Sequence, residues 1–289
     1  MRNKSLNHLI KFISRLPFVF HFTLSWMLYG ILRYGLKYRK KVIEENLKNS
    51  FPNKTEKELD EIKIKFYKNF ANFITDSLKL ITISSQQIEK RVQFSKDSIE
   101  ELNRRHQNNE HVIVLSGHVF NWEYYSLIPS QLDHTVLITY KVLKNKFWED
   151  LIKKMRQHFG GIAVDYRKTY STLLSLHKEN HVTLTWICGD QMPNWKKHSL
   201  TEEWFLHQKT YFFNGINELC RRTNSPVYFL GIRKTTPSKY EIYFKLITEN
   251  PKNESPHFIT KKYAQLLEQL IVEAPDNYLW SHRRWKEIP

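Results

Sequence analysis

The stretch HVIVLSGHVFNWEYY, residues 111–125, decides the reading of this chain. An apolar, β-branched run ends at Ser116-Gly117, and His118 follows, with Glu123 five residues further on. Catalytic and ligand-binding groups in open α/β sheets gather just beyond the carboxyl ends of strands, which is where His118 falls. On one continuous helix, five residues subtend roughly 500°, which leaves the two side chains about 140° apart. They can pair only if His118 lies in a loop and Asn121 caps a helix whose first turn carries Glu123. A carboxylate so placed orients an imidazole and leaves its other nitrogen free as a general base.

The bare spacing carries little weight. With 13 His in the chain, chance yields roughly one His-x4-acid match, and His118/Glu123, His198/Glu203 and His282/Glu287 all fit it. Context separates them. His198 stands in a polar segment with no strand leading in, and His282 lies in a basic cluster near the C-terminus. Only His118 has a strand–loop–helix setting; the plain alternative is a histidine that caps a turn.

Outward from this stretch, short apolar runs alternate with amphipathic ones. The strand candidates are 92–94, 112–115, 136–140, 162–164, 182–187, 227–232 and 241–247. Helix candidates are 99–105, 122–130, 147–159, 172–178, 215–222 and 261–273. The alternation predicts an α/β fold, a central mostly parallel sheet flanked by helices. Upstream, Thr55 with Glu58 forms a capping-box signature ahead of Leu59, Ile62, Phe66, Phe70, Phe73 and Leu78, a helix with a core-facing stripe.

Residues 16–32 (LPFVFHFTLSWMLYGIL) hold no acidic, Lys or Arg residue and are rich in aromatics. Lys11 and Arg15 precede them, and Arg33, Lys37, Arg39, Lys40 and Lys41 follow. The run is short of the roughly 20 residues that span a bilayer, and His21 and Ser25 weaken it. Its aromatics and basic flanks fit a membrane-associated helix, spanning or interfacial, better than a core helix. The expected division is an N-terminal membrane anchor, 1–45, and a catalytic domain, 46–289.

The chain carries 45 Lys+Arg against 29 Asp+Glu, a net charge of +16. Such a field attracts an anionic membrane, an acidic protein or nucleic acid. No groove-reading or base-stacking motif accompanies it, so no nucleic-acid partner is expected. Lys141, Lys144, Lys146, Lys153, Lys154 and Arg156 crowd one stretch, either a solvated helix face or a docking patch for an acidic carrier protein or anionic headgroups. The two cysteines, Cys188 and Cys220, lack metal or redox spacing and read as buried thiols of a reducing compartment.

These motifs together resemble the late acyltransferases of lipid A biosynthesis, within the lysophospholipid acyltransferase superfamily. His118 and Glu123 in GHVFNWE match the family's His-x4-acid motif, and Arg156 in MRQHFGG its arginine. Asp190-Gln191 in WICGDQ match a D-Q pair, Tyr211-Phe212-Phe213 an F-F-G-like element, and Ser225-Pro226 a strand start. Trp280 to Lys286, WSHRRWK, matches the terminal signature. One departure stands out: FFNGIN replaces the usual small residue and proline after FFG, which bears on the shape of the pocket.

The resemblance implies a glycerolphosphate-acyltransferase-like fold at the bacterial inner membrane, with the catalytic domain on its cytoplasmic face. It implies an O-acyltransferase whose co-substrate is an acyl thioester on acyl carrier protein or coenzyme A, and whose acceptor is a hydroxyl of an anionic lipid A precursor. No cofactor or metal is expected. His118 is expected as base, Glu123 as its orienting carboxylate and Arg156 as support for the oxyanion or a phosphate. Asn121, Asp190, Gln191, Arg283 and Arg284 are the expected substrate contacts. Asp190 is otherwise read as a partner for Arg156 or a turn cap, and Arg283 and Arg284 beside Trp280 and Trp285 as an interfacial anchor.

Overall fold

The computed structural model describes residues 2–193, 199–236 and 238–286, with side chains from residue 5 onward. Nine strands are described: β1 (Val92–Phe94), β2 (Val112–Ser116), β3 (Thr135–Tyr140), β4 (Ile162–Asp165), β5 (Thr183–Cys188), β6 (Leu200–Phe205), β7 (Gln208–Phe213), β8 (Val227–Thr236) and β9 (Lys239–Thr248). Seven of them form one sheet in the order β1-β9-β8-β2-β5-β3-β4. β8, β2, β5, β3 and β4 are mutually parallel, while β9 is antiparallel to β8 and carries β1 parallel to itself. The mostly parallel α/β sheet expected from the alternation of runs is present.

β2 lies near the centre and is buried along its whole length, as expected for a parallel strand covered on both faces. Its side chains alternate between two cores. Ile113 and Leu115 join the layer of α4 (Glu56–Lys79) and α10 (Phe258–Glu273), with Phe66, Leu267 and Ile271. Val112 and Val114 join the opposite layer of α6 (Lys96–Gln107), α7 (Lys146–Gln157) and a 3-10 helix, Trp122–Ser130, with Leu102, Met155 and Ile128. The remaining helices are α1 (Arg2–Arg15), α2 (Phe18–Gly30), α3 (Lys40–Ser50), the one-turn α5 (Ser85–Ile88), α8 (Thr169–Lys178) and α9 (Gly215–Thr223). The capping box that starts α4 is made on both sides: the Glu58 amide donates to Thr55 Oγ1 and the Thr55 amide to Glu58 Oε2.

The β6–β7 hairpin was not anticipated from the sequence. Its two-residue turn is Leu206-His207, with φ of 51° and 60°. Both residues take the left-handed conformation that Asn-Gly usually supplies in such turns, so no turn signature marks it. Leu206 is buried, and its amide donates to Glu268 of α10, contacts that hold the unfavourable backbone in place.

Among the described residues, no helix is long and apolar enough to cross a membrane. α2 is 13 residues long and packs on α4 with its polar residues inward. His21 bonds the carbonyls of Thr75 and Ile13, and Ser25 donates to Asn72. The apolar side faces out: Val19, Phe20, Phe22, Trp26 and Met27 are all exposed, Trp26 to 75%. The polar residues that shorten the apolar run are therefore the ones that dock α2 to the body. The boundary expected at 45/46 falls inside α3 (Lys40–Ser50).

Candidate active site

β2 ends at Ser116 and delivers His118 through Gly117. The backbone at Gly117 passes so close to α10 that a β-carbon there would lie 2.5 Å from Leu267. The C-terminal segment clamps the loop from outside: Leu279 N donates to His118 O at 3.1 Å, and Phe120 N to Asn277 O at 2.7 Å. Phe120 sits at φ 50°, a strained conformation for an aromatic residue that reverses the chain into the 3-10 helix. Asn121 accepts from the Glu123 amide at 3.2 Å, as the sequence suggested, and Glu123 falls in the first turn.

Glu123 does not, however, turn back to the imidazole. Its carboxylate takes a two-pronged grip from Arg156 of α7, Nε to Oε2 at 2.9 Å and Nη2 to Oε1 at 2.7 Å, and a third bond from Trp122 Nε1. A forked guanidinium matches a carboxylate better than a single imidazole N–H does, so the expected His118–Glu123 pair is replaced by Glu123–Arg156.

His118 is held by Asp190 instead. Nδ1 lies 2.6 Å from Asp190 Oδ1, and the His118 amide donates to Oδ2 at 3.0 Å. The partnership follows from sheet register: β2 and β5 are parallel neighbours with Ser116 opposite Cys188, so Gly117 is level with Gly189 and His118 with Asp190. Asp190 is therefore neither the partner of Arg156 nor a turn cap. Against the burial that would raise it, the His118 charge holds the Asp190 carboxyl at about 2. Burial opposes charge on His118 as well, yet the Asp190 carboxylate lifts the imidazole pKa well above 6.5.

A cavity of about 540 Å³ opens beside this pair, beyond the carboxyl ends of β2, β3 and β5, within the roughly 300–1,000 Å³ typical of ligand sites. His118 and Arg156 share its wall with Trp122, Ile152, Ile187 and Leu219. Gln191 also lines it, its amide nitrogen 3.1 Å from His118 Nε2. Cys188 faces the cavity rather than the core, half-buried, while Cys220 is buried as expected. Burial pushes the Cys188 thiol up.

The other expected substrate contacts lie elsewhere. Asn121 is buried and borders a separate, smaller crevice with Phe70, Phe73 and Tyr240. Arg284 is buried, with Nη2 donating to Tyr211 O and the guanidinium over Phe212. Trp280 is buried against Phe51 and Tyr278. Neither can therefore anchor the protein at an interface; Arg283 alone of the arginine pair is exposed. Of the rival His-x4-acid matches, His198 and Glu287 lie outside the described residues. Lys141, Lys144, Lys146, Lys153 and Lys154 are all exposed, and Lys141 borders the cavity.

Residues 7–287 match the model of the bacterial lipid A biosynthesis acyltransferases. The chain is 21% identical over 258 residues, 88% of its length and 81% of theirs, to a lipid A biosynthesis palmitoleoyltransferase of Escherichia coli and to a lipid A biosynthesis acyltransferase of Shigella flexneri. A solved 1-acyl-sn-glycerophosphate acyltransferase from Thermotoga maritima aligns over 99% of this chain and 100% of its own, at 14% identity and a TM-score of 0.35. With a family model spanning nearly the whole length, the chain belongs to the bacterial lipid A biosynthesis acyltransferase family.

Proposed function

We propose that this acyltransferase moves a fatty acyl chain from a carrier-protein thioester to a hydroxyl of an anionic lipid A precursor at a membrane surface. One observation carries the reading: an imidazole, braced on a buried carboxylate, faces a largely apolar cavity that also holds a guanidinium. With Nδ1–H donated to Asp190, the neutral ring keeps its lone pair on Nε2, beside the Gln191 amide. A hydroxyl taking the place of that amide loses its proton to Nε2 as its oxygen attacks the thioester carbonyl. Asp190 stabilises the imidazolium that forms. The tetrahedral oxyanion collapses, the carbon–sulfur bond breaks, and the imidazolium returns the proton to the departing thiolate. Arg156, fixed by Glu123, supplies positive charge for the oxyanion or a substrate phosphate. No step calls for a cofactor.

The surface supports the same reading. The outward face of α2 continues into α1 through the exposed Leu9 and Phe12, with Lys11 and Arg15 exposed beside them, the pairing that favours an anionic lipid interface. The exposed lysines on and before α7, of which Lys141 borders the cavity, suit an acidic carrier protein or anionic headgroups. The assay is transfer from acyl carrier protein to lipid A precursors, read by mass spectrometry, with coenzyme A thioester as the alternative donor. A mass gain of one acyl chain on the precursor is the expected result. Transfer only to an unrelated glycolipid or aminolipid would keep the chemistry and replace the acceptor.

A further inference from the structure

One group at the site has no task in the transfer. Cys188 ends β5, and its Sγ lies 3.2 Å from His118 Nδ1, 3.7 Å from Nε2 and 3.6 Å from Asp190 Oδ1. Thiol, imidazole and carboxylate thus converge, each offering a ligand atom within 4.8 Å of the others. Zinc binds S, N and O donors at about 2.3, 2.0–2.1 and 2.0–2.2 Å, and its tetrahedral angle sets those atoms roughly 3.3–3.6 Å apart. Sγ–Nδ1 and Sγ–Oδ1, at 3.2 and 3.6 Å, are already close to that spacing. The third separation, Nδ1–Oδ1, is 2.6 Å because a proton bridges it. An ion replacing that proton has to open it by about 0.7 Å. Three protein ligands beside a cavity leave the fourth position to water.

We propose that His118, Cys188 and Asp190 bind one zinc ion, and that the bound ion switches the acyltransferase off. The donor set of thiolate, imidazole and carboxylate suits zinc over magnesium or calcium, which take oxygen ligands. Metal on Nδ1 leaves the ring's one remaining proton on Nε2. That nitrogen then has no lone pair to take a hydroxyl proton, and the aspartate that braced the imidazolium is occupied. The neutral ring's single proton moves from Nδ1 to Nε2, and the proton displaced from the thiol passes to solvent. The inhibitory half of the proposal rests on His118 being the base; the binding half does not.

Cobalt(II) titration of the untagged, full-length protein tests the binding, because a cobalt–thiolate bond gives a charge-transfer absorption that oxygen and nitrogen ligands lack. The expected result is one such site per chain, bleached by zinc, kept in Cys220→Ala and lost in Cys188→Ala, with circular dichroism reporting the fold of each variant. Asp190→Asn keeps the thiolate but binds more weakly. In parallel, zinc suppresses acyl transfer by the native protein, and Cys188→Ala needs roughly tenfold more zinc or beyond, since even outer partners of a metal site are worth 10–100-fold. No cobalt–thiolate band, or a band that survives in Cys188→Ala, overturns the site. Zinc bound with this signature but without effect on transfer leaves the site standing and removes His118 as the base.

Discussion

Two buried carboxylates lie behind the same cavity wall, and each holds a cation that lines it. Asp190 holds His118, and Glu123 holds Arg156. The difference between the cations sets the difference in role. An imidazole can give up its proton near neutral pH, so the His118–Asp190 pair can do proton chemistry. A guanidinium cannot, so the Glu123–Arg156 pair is a fixed dipole that presents charge to the substrate. The His-x4-acid motif therefore splits between the two pairs, its histidine in one and its acid in the other.

The largest expected effect lies at the pair that moves a proton. His118→Ala should cut the rate constant for transfer by about 10²–10⁴-fold, the usual worth of a positioned base, and should also lower the thermal midpoint because it leaves the Asp190 carboxylate buried without its partner; a variant of unchanged turnover would remove the base. Next, Asp190→Asn should lower kcat comparably and leave KM nearly unmoved, because the side chain acts through the imidazole. Glu123→Gln breaks the comparison the other way. Leaving the partly buried Arg156 without its carboxylate costs at most about 3–5 kcal/mol, so stability and KM should suffer, while the pH profile keeps its native midpoint. The smallest effect lies farthest from both pairs: Phe22→Ser with Trp26→Ser should weaken binding to anionic vesicles and leave turnover on detergent-dispersed substrate intact. Vesicle binding that is unaltered would place the membrane contact elsewhere.

The strands, the α4 capping box and the loop position of His118 were legible because each is a local pattern. Alternation, cap spacing and an apolar run ending in Ser-Gly are written within a few residues. The Leu206-His207 turn was not, since its conformation is imposed by the contacts of Leu206 with the core and α10. Asp190 stands out in the sequence at the end of a strand, but its contact with His118 does not, because a contact across 72 residues leaves no trace in local spacing. A signal did exist: Ser116-Gly117-His118 and Cys188-Gly189-Asp190 end two apolar strands in the same way. Parallel neighbours in that register put histidine and aspartate side by side. The exposed apolar face of α2 was legible in composition, but not its orientation, since only tertiary packing puts His21 and Ser25 inside.

The pH dependence of kcat/KM in Asp190→Asn and Glu123→Gln, measured side by side, tests the division of roles most directly. A base must be neutral to act, and Asp190 raises the His118 pKa, so native activity should climb with pH through a midpoint above 6.5. In Asp190→Asn that acid limb should move down, since burial alone lowers the imidazole pKa, while in Glu123→Gln it should stay where it was. A limb that shifts in Glu123→Gln and holds in Asp190→Asn would contradict the account and return the imidazole to the glutamate.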